Sequence, residues 1–280
     1  MKEELLVCVI TIPESLRYPK GLGLLAVGTF KLVTIISFSK NANYDELKAI
    51  KRNSDLYTST IGRDISLGEI GCAYGHFSAY EALLNSNFDY ALILEDDAKM
   101  VHQIDDVISE FKQIEKPAII SLINSRGGAV RYFGQSSRLY LRMISPGQGT
   151  SAYLINRGAA HAYHRNYLKN GVTSTADWHY PLPRGVQHYI NAEPAFHHDF
   201  DSLDSFLDVD RNQSTMTSDF SKSSFKGQLR RVKTLTSYDF QLLDLLYVEF
   251  WIKTRVTLIA ILWRLHNIFK KLSKFFFNRW

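Results

Sequence analysis

The stretch of sequence that bears most directly on the fold is Tyr90-Ala91-Leu92-Ile93-Leu94-Glu95-Asp96-Asp97. Its apolar residues are typical of a buried strand. Three adjacent carboxylates cannot continue into a core, because burying unpaired charge is strongly unfavourable. The sequence therefore predicts a strand that ends at the acids and presents them at the carboxyl edge of a sheet, which is where open α/β sheets bind their ligands.

Two interpretations of these three acids are open on the residues alone. Mg²⁺ and Mn²⁺ prefer carboxylate oxygens, often together with the phosphates of a substrate, which makes the acids a candidate metal-diphosphate site. The alternative is a solvated acidic turn that follows the strand. The strand pattern fits both interpretations equally well.

Apolar strand patterns alternate with helical patterns on both sides of this stretch. The periodicity predicts strands at Leu5–Ile12, Leu32–Phe38, Ala118–Ile123 and Ser151–Ile155, and helices at Phe77–Leu84, Val107–Ile114 and Gly158–Tyr167. Such alternation favours an α/β layered fold.

The composition is that of a folded protein, since the 280-residue chain is 45% hydrophobic and 13% aromatic. Cys8 and Cys72 lie in apolar surroundings and form no CxxC pair, so we expect buried free thiols in a reducing compartment. The apolar stretch after Met1–Glu4 is short and is interrupted at Pro13, so no signal peptide is expected.

The basic charge of the chain is concentrated at its end. Phe250–Trp280 contains seven lysines and arginines and no acid, whereas the formal net charge of the whole chain is only +5. The remainder is therefore slightly acidic, which argues against a nucleic-acid-binding surface spread over the fold.

This terminal segment predicts a basic amphipathic helix rather than a membrane-spanning one. Its longest uncharged stretch, Val256–Trp263, is far shorter than the roughly 20 residues that a spanning helix needs. Aromatic residues beside lysine and arginine suit the plane of an anionic membrane surface. The alternative is a helix packed on its own domain or on a second subunit.

Two sequence elements resemble glycosyltransferase family 25, the lipooligosaccharide biosynthesis enzymes of Gram-negative bacteria. The first is Gly68-Glu69-Ile70-Gly71-Cys72-Ala73-Tyr74-Gly75-His76, and the second is the strand Ala91-Leu92-Ile93-Leu94-Glu95-Asp96-Asp97. Gly149-Thr150-Ser151-Ala152-Tyr153-Leu154-Ile155 is similar to the Gly-Thr-x-x-Tyr strand of the family, and Asp177-Trp178 stands where its Asp-containing segment falls. The resemblance runs from about Ile65 to Ala195.

The chain departs from the family pattern at two places. The family has a serine immediately before the histidine of its first element, where this chain has Gly75. The first strand of the family ends Ile-Asn-Leu-Asp-Arg, whereas this chain has Val9-Ile10-Thr11-Ile12-Pro13-Glu14-Ser15, with Arg17 the candidate to serve as its arginine.

The resemblance implies a single GT-A-like nucleotide-sugar-binding domain at residues 1–200, of α/β class. Composition and charge pattern, rather than the resemblance, predict a Ser/Asp-rich surface segment or linker at 201–241 and a C-terminal amphipathic helical tail at 242–280. The implied reaction is transfer of a hexose, galactose or glucose, from a UDP-sugar to a lipid-linked saccharide of lipooligosaccharide type, with inversion at the anomeric carbon.

The resemblance and the chemistry together give a set of candidate site residues. A divalent ion, Mn²⁺ or Mg²⁺, is expected to neutralise the leaving diphosphate, and inversion needs a general base. The predicted metal ligands are Asp97, Glu95 and His198; the predicted donor-binding residues are Glu69, His76, Glu95, Asp96 and Arg17; the predicted base is Asp177, with Glu193, Asp199 and His179 as its rivals.

The combined prediction is a cytoplasmic enzyme, peripheral at the inner face of the inner membrane and attached to anionic lipid through residues 250–280. Two alternatives remain. One is a Mg²⁺-dependent phosphotransferase or phosphatase, which is disfavoured because the chain has no Walker-type glycine loop. The other is a non-catalytic membrane-associated partner protein with a decayed transferase fold, as the altered first strand would allow.

Overall fold

The computed structural model describes residues 5–25, 30–37, 65–123, 129–130, 140–143, 149–173, 175–176, 183 and 185–198. Within these ranges the chain forms a mixed α/β fold around an eight-stranded sheet. The strands are β1 (Leu5–Thr11), β2 (Phe30–Ile36), β3 (Tyr90–Glu95), β4 (Ala98–Met100), β5 (Ala118–Ser121), β6 (Ala129–Val130), β7 (Tyr140–Met143), β8 (Ala152–Asn156), β9 (Gln187–Asn191) and β10 (Phe196–His198). The helices are α1 (Leu67–Leu84), α2 (Asp105–Phe111) and α3 (Arg157–Asn170), with a 3₁₀ turn at Leu22–Leu24.

The order of strands in the large sheet is β2-β1-β3-β8-β5-β9-β7-β6. β1 runs parallel to β2 and β3, and β5 runs parallel to β9. β8 lies between β3 and β5 and is antiparallel to both. β1, β3 and β5 therefore end at the same edge of the sheet, and β8 begins there; we call this the carboxyl edge.

Helices cover both faces of the sheet. Alternate strand residues such as Val7, Leu92 and Leu94 join Ile108 and Phe111 of α2 in one buried cluster. α1 packs on α3 and on the other face of β1. Successive strand residues point to opposite faces of the sheet, and the side chains on both faces of β1 and β3 are buried. This explains why these two strands are continuously apolar.

The N-terminus of α1 is fixed by a capping box. The Ser66 hydroxyl accepts a hydrogen bond from the Glu69 N–H (3.3 Å), and the Glu69 carboxylate accepts one from the Ser66 N–H (2.9 Å). This arrangement satisfies two backbone donors that the first turn of a helix would otherwise leave unpaired. The Glu69 side chain is buried, and its carboxylate caps the N-terminus of α1.

A small two-stranded sheet lies beside the carboxyl edge. β4 pairs antiparallel with β10, and the register sets His198 opposite Ala98. On its other side β4 meets the segment after β1. The Lys20 N–H donates to the Ala98 carbonyl, and the Lys20 carbonyl accepts from the Met100 N–H (both 2.9 Å). The chain segments after β1, β3 and β9 are thus joined next to the acids.

The α/β class and the strand that ends at the acids are confirmed: β3 ends at Glu95, and Asp96-Asp97 form the turn into β4. The helix predicted at Phe77–Leu84 is longer and begins at Leu67, so the glycine-rich element Gly68–His76 is itself helical. Its three glycines lower helix propensity and conceal the pattern, whereas the capping box and the tertiary packing stabilise the helix. The segments predicted at 201–241 and 242–280 lie outside the described residues.

Candidate functional site at the carboxyl edge

Asp96 is held by the segment that follows β1. The register places Ile10 beside Glu95, which brings the next residues of the two strands together. The Thr11 hydroxyl donates to Asp96 Oδ2 (3.0 Å), and the Arg17 guanidinium pairs with Asp96 Oδ1 (3.2 Å). Burial raises the pKa of Asp96, while hydrogen bonding from Ser15, the positive charge of Arg17 and the Thr11 hydroxyl act against that rise.

Glu95 is held by the start of β8. The Thr150 hydroxyl donates to Glu95 Oε1 (2.9 Å), and the Glu95 N–H donates to the Ser151 carbonyl (2.8 Å). Gly149 precedes them with φ +92°, a backbone conformation that favours glycine. Because β8 is antiparallel to β3, the first residues of β8 meet the last residue of β3.

His76 of α1 connects Glu95 to a pair of buried tyrosines. Its Nε2 lies 3.2 Å from Glu95 Oε1, and its Nδ1 lies 2.8 Å from the Tyr153 hydroxyl, which donates to the Tyr80 hydroxyl at 3.0 Å. The side chain of His76 has no exposed surface. Burial raises the pKa of both Tyr153 and Tyr80 well above the usual range of a phenol, so both remain neutral donors and acceptors.

Asp97 and His198 are brought near each other through the backbone. Asp97 is the last residue of the turn before β4, and Ala98, which follows it, pairs with His198 across the β4–β10 ladder. Asp97, a predicted metal ligand, is therefore next in sequence to the residue that pairs with His198, a second predicted ligand. The third, Glu95, ends β3, two residues before Asp97 in the sequence.

Much of the sequence that forms this site matches a protein-family model. The model described as glycosyltransferase family 25 (LPS biosynthesis protein) matches residues 28–172, which is more than half of the chain and includes Glu95–Asp97 and Thr150. The chain belongs to this family. It is a glycosyltransferase of LPS biosynthesis, and its family implies a sugar donor and an LPS acceptor.

Comparisons with individual proteins give more distant similarities. No curated protein matches this glycosyltransferase. Among solved structures, A197 from STIV is 12% identical with a TM-score of 0.32, covering 72% of this chain and 97% of that chain. A putative glucose-1-phosphate thymidylyltransferase from Bacillus anthracis, in complex with a sucrose, is 13% identical with a TM-score of 0.27, covering 60% of this chain and 75% of that chain.

The donor set at the edge suits the divalent metal that glycosyltransferases of this kind typically use. Glu95 and Asp97 are half-buried carboxylates at the end of β3, and carboxylate oxygens are ligands that Mg²⁺ and Mn²⁺ prefer. Asp96 is different, because Arg17 and Thr11 already occupy its two oxygens. A second group, Cys72, His76 and Glu95, also brings potential metal ligands within 4.8 Å of one another.

The remaining predicted site residues have different outcomes. Arg17 reaches the acids, as its pair with Asp96 shows. Glu69 caps α1, and its contact with the donor stays a prediction. Glu193 is 82% exposed and lies 3.9 Å from His102. Asp177, Asp199 and His179 lie outside the described residues, so the assignment of the base stays a prediction.

Several residues of the site were not among the predicted site residues. Thr150 and Tyr153 belong to the Gly-Thr-x-x-Tyr strand of the family, and that motif was the signal for both. Thr11 gave no signal, because a threonine at the end of a strand is common. Tyr80 lies within the helix predicted at Phe77–Leu84, and that pattern indicates no role in a site.

The two cysteines also differ. Neither forms a disulfide among the described residues, but Cys8 is fully buried whereas Cys72 is half-buried. None of the described helices has the length and hydrophobicity to cross a membrane.

Proposed function

We propose that this family 25 protein is a metal-dependent inverting hexosyltransferase with a GT-A-like fold. Its donor would be UDP-galactose or UDP-glucose, and its acceptor a lipooligosaccharide at the inner face of the inner membrane. The observation that carries the proposal is the carboxyl edge, where a family match coincides with Glu95 and Asp97 at the end of β3 and with the backbone of His198 beside them. Ligands of open α/β sheets bind at this edge.

Glu95, Asp96 and Asp97 are proposed to have different roles, because they have different partners. Asp97 and Glu95, with His198, would hold Mn²⁺ or Mg²⁺, which neutralises the charge that develops on the leaving diphosphate. Asp96 is paired with Arg17 and Thr11, so its contribution is to fix the turn. A guanidinium has five N–H donors, so Arg17 can pair with Asp96 and is proposed to meet a donor phosphate as well.

The acceptor hydroxyl must lose its proton as the new bond forms, and a carboxylate suits that role. Asp177 is the proposed base, with Glu193, Asp199 and His179 as alternatives. Glu193 lies on the segment between β9 and β10 and is strongly exposed, so it is accessible to an acceptor. Inversion itself is checked by the anomeric configuration of the product in an NMR spectrum.

UDP binding tests the proposal directly. We expect the full-length protein to bind UDP in the presence of Mn²⁺ and much more weakly without it. Asp97→Asn keeps the size of the side chain and removes its charge, so it should weaken Mn²⁺-dependent UDP binding by more than tenfold, or about 1.4 kcal/mol. Asp106→Asn, at an exposed position in the first turn of α2, is the matched control and should leave UDP binding unchanged.

The outcomes of this titration separate the alternatives. Metal-dependent UDP binding with hydrolysis of a UDP-sugar supports the transferase. Binding with equal affinity to the intact protein and to Asp97→Asn would contradict the metal assignment. An absence of UDP binding under any metal would instead favour the non-catalytic partner protein, and release of phosphate from a simple phosphate ester would favour the phosphotransferase.

A further inference from the structure

We propose that Cys72, His76 and Glu95 form a second metal site, specific for a thiophilic transition metal of the Zn²⁺ class. This site goes beyond the proposed function, because that function uses a hard cation on carboxylates and phosphates. A cysteine sulfur and an imidazole are ligands typical of zinc, whereas Mg²⁺ and Mn²⁺ favour oxygen ligands. The two sites share Glu95 and differ in their other ligands.

The spacing of the ligand atoms fits a single ion. Cys72 and His76 are four residues apart on α1, so they lie on one face of the helix. The His76 Nε2 to Glu95 Oε1 distance is 3.2 Å. A tetrahedral zinc with nitrogen and oxygen ligands at about 2.0–2.1 Å holds those two atoms roughly 3.3 Å apart.

The sulfur is also within reach of the same ion. All three ligand atoms lie within 4.8 Å of one another. A sulfur and a nitrogen bound to one zinc are roughly 3.6 Å apart, so a shift of about 1 Å in the Cys72 side chain is sufficient. Cys72 and Glu95 are half-buried while His76 is fully buried. The fourth coordination position would therefore be on the accessible side, open to water or a small ligand.

The groups behind the ligands orient them as metal sites require. Histidine ligands of metals usually donate their other ring N–H to a fixed acceptor, and ligating carboxylates are hydrogen-bonded in turn. Tyr153 takes the first role at His76 Nδ1 (2.8 Å), and Thr150 takes the second at Glu95 Oε1 (2.9 Å). Tyr153 is itself fixed, since it donates to Tyr80.

Cobalt spectroscopy of the untagged, reduced, full-length protein tests the site. The chain contains only two cysteines, so Cys8→Ala leaves Cys72 as the sole source of thiolate. We expect Co²⁺ to give a thiolate-to-cobalt charge-transfer band and tetrahedral d–d bands in the intact protein and in Cys8→Ala. Zn²⁺, but not a large excess of Mg²⁺, should displace the cobalt and abolish these bands.

Two ligand variants make the assignment specific. Cys72→Ser should lose the charge-transfer band, and Glu95→Gln should shift the d–d bands and weaken binding of Co²⁺ and Zn²⁺ in equilibrium dialysis. Circular dichroism and thermal unfolding show whether each variant is folded. Because the readout is metal binding, failure of the proposed transferase reaction would leave this result unaffected.

A third variant tests the orienting role of the tyrosine. Tyr153→Phe removes the hydrogen-bond partner of His76 Nδ1, and loss of such a partner typically weakens metal binding by about 10- to 100-fold. Tyr163→Phe is the matched control, because Tyr163 is equally buried but pairs with His188 (3.0 Å). It should leave zinc affinity unchanged.

The proposal is overturned if the intact protein shows no charge-transfer band with Co²⁺ under reducing conditions. It is also overturned if Cys72→Ser retains zinc affinity, because binding would then belong to other residues such as His197 and His198. A Cys72→Ser variant that is folded and has lost the band, beside a Cys8→Ala variant that keeps it, supports the site.

Discussion

At the scale of single residues, adjacent acids acquire different roles from the elements that face them. Glu95 meets Thr150 and His76, whereas Asp96 meets Thr11 and Arg17. Successive side chains at a strand end point to opposite faces of the sheet, so neighbours in sequence contact different partners. The partners of Glu95 and Asp96 therefore depend on the topology and cannot be predicted from the Glu-Asp-Asp motif.

Gly75 is a residue at which a departure from the family has a physical reason. A Cβ at this position would lie 2.7 Å from Ile10 Cγ2 and 3.2 Å from Ser37 Cβ. We expect Gly75→Ala to lower the free energy of unfolding by about 1–3 kcal/mol, because it forces α1 away from β1. Gly23→Ala, where no heavy atom lies within 4 Å of the added Cβ, is the control in urea unfolding. Equal stability of the two variants would contradict the close approach of α1.

The two cysteines should differ in reactivity. Burial raises the pKa of the Cys8 thiol to about 12, and only the thiolate is nucleophilic. In native, metal-free protein at neutral pH, iodoacetamide should therefore label the half-buried Cys72 well before Cys8, as followed by peptide mass spectrometry. In denaturant both thiols should react. Labelling of Cys8 at the same rate as Cys72 in the folded protein would show that β1 is accessible.

At the scale of elements, α1 positions more of the site than any other described helix, since it carries Cys72 and His76. Its N-terminus depends on Ser66, so Ser66→Ala should lower the free energy of unfolding by about 0.5–2 kcal/mol. Ser109→Ala is the control, because Ser109 bonds only to the preceding turn of α2 on an exposed face, and its loss should be close to neutral. Thermal unfolding followed by circular dichroism measures both, and a neutral Ser66→Ala would contradict the capping box.

The sequence predicted those parts of the fold that depend on local pattern. β1, β3 and β5 are buried and apolar, so their positions follow from hydrophobic runs, and the acids mark the end of β3. No local sequence pattern predicts that β8 lies antiparallel between β3 and β5, although this position brings Thr150 to Glu95. The start of α1 was missed because glycine weakens the helical pattern. The chain His76–Tyr153–Tyr80 joins residues far apart in sequence, and no spacing rule predicts it.

At the scale of the whole molecule, the proposed reaction on a lipid-linked acceptor leads us to propose attachment to a membrane. The described helices do not cross one, and the basic segment Phe250–Trp280, which lies outside the described residues, is the proposed contact. A segment that gathers positive charge beside aromatic residues suits an anionic surface. It would raise the effective concentration of enzyme where the acceptor is presented.

Charge removal in this segment tests the attachment. Each lysine near an anionic surface contributes about 1 kcal/mol, so replacing Lys270, Lys271 and Lys274 together by Gln should weaken binding to phosphatidylglycerol vesicles by about 100-fold. The control replaces Lys31, Lys116 and Lys169, which are exposed in the folded domain, and should retain binding. Cosedimentation with anionic and zwitterionic vesicles, at low and at high salt, measures both variants. Binding that resists salt, or that both variants retain equally, would contradict an electrostatic contact and favour a segment that packs on protein.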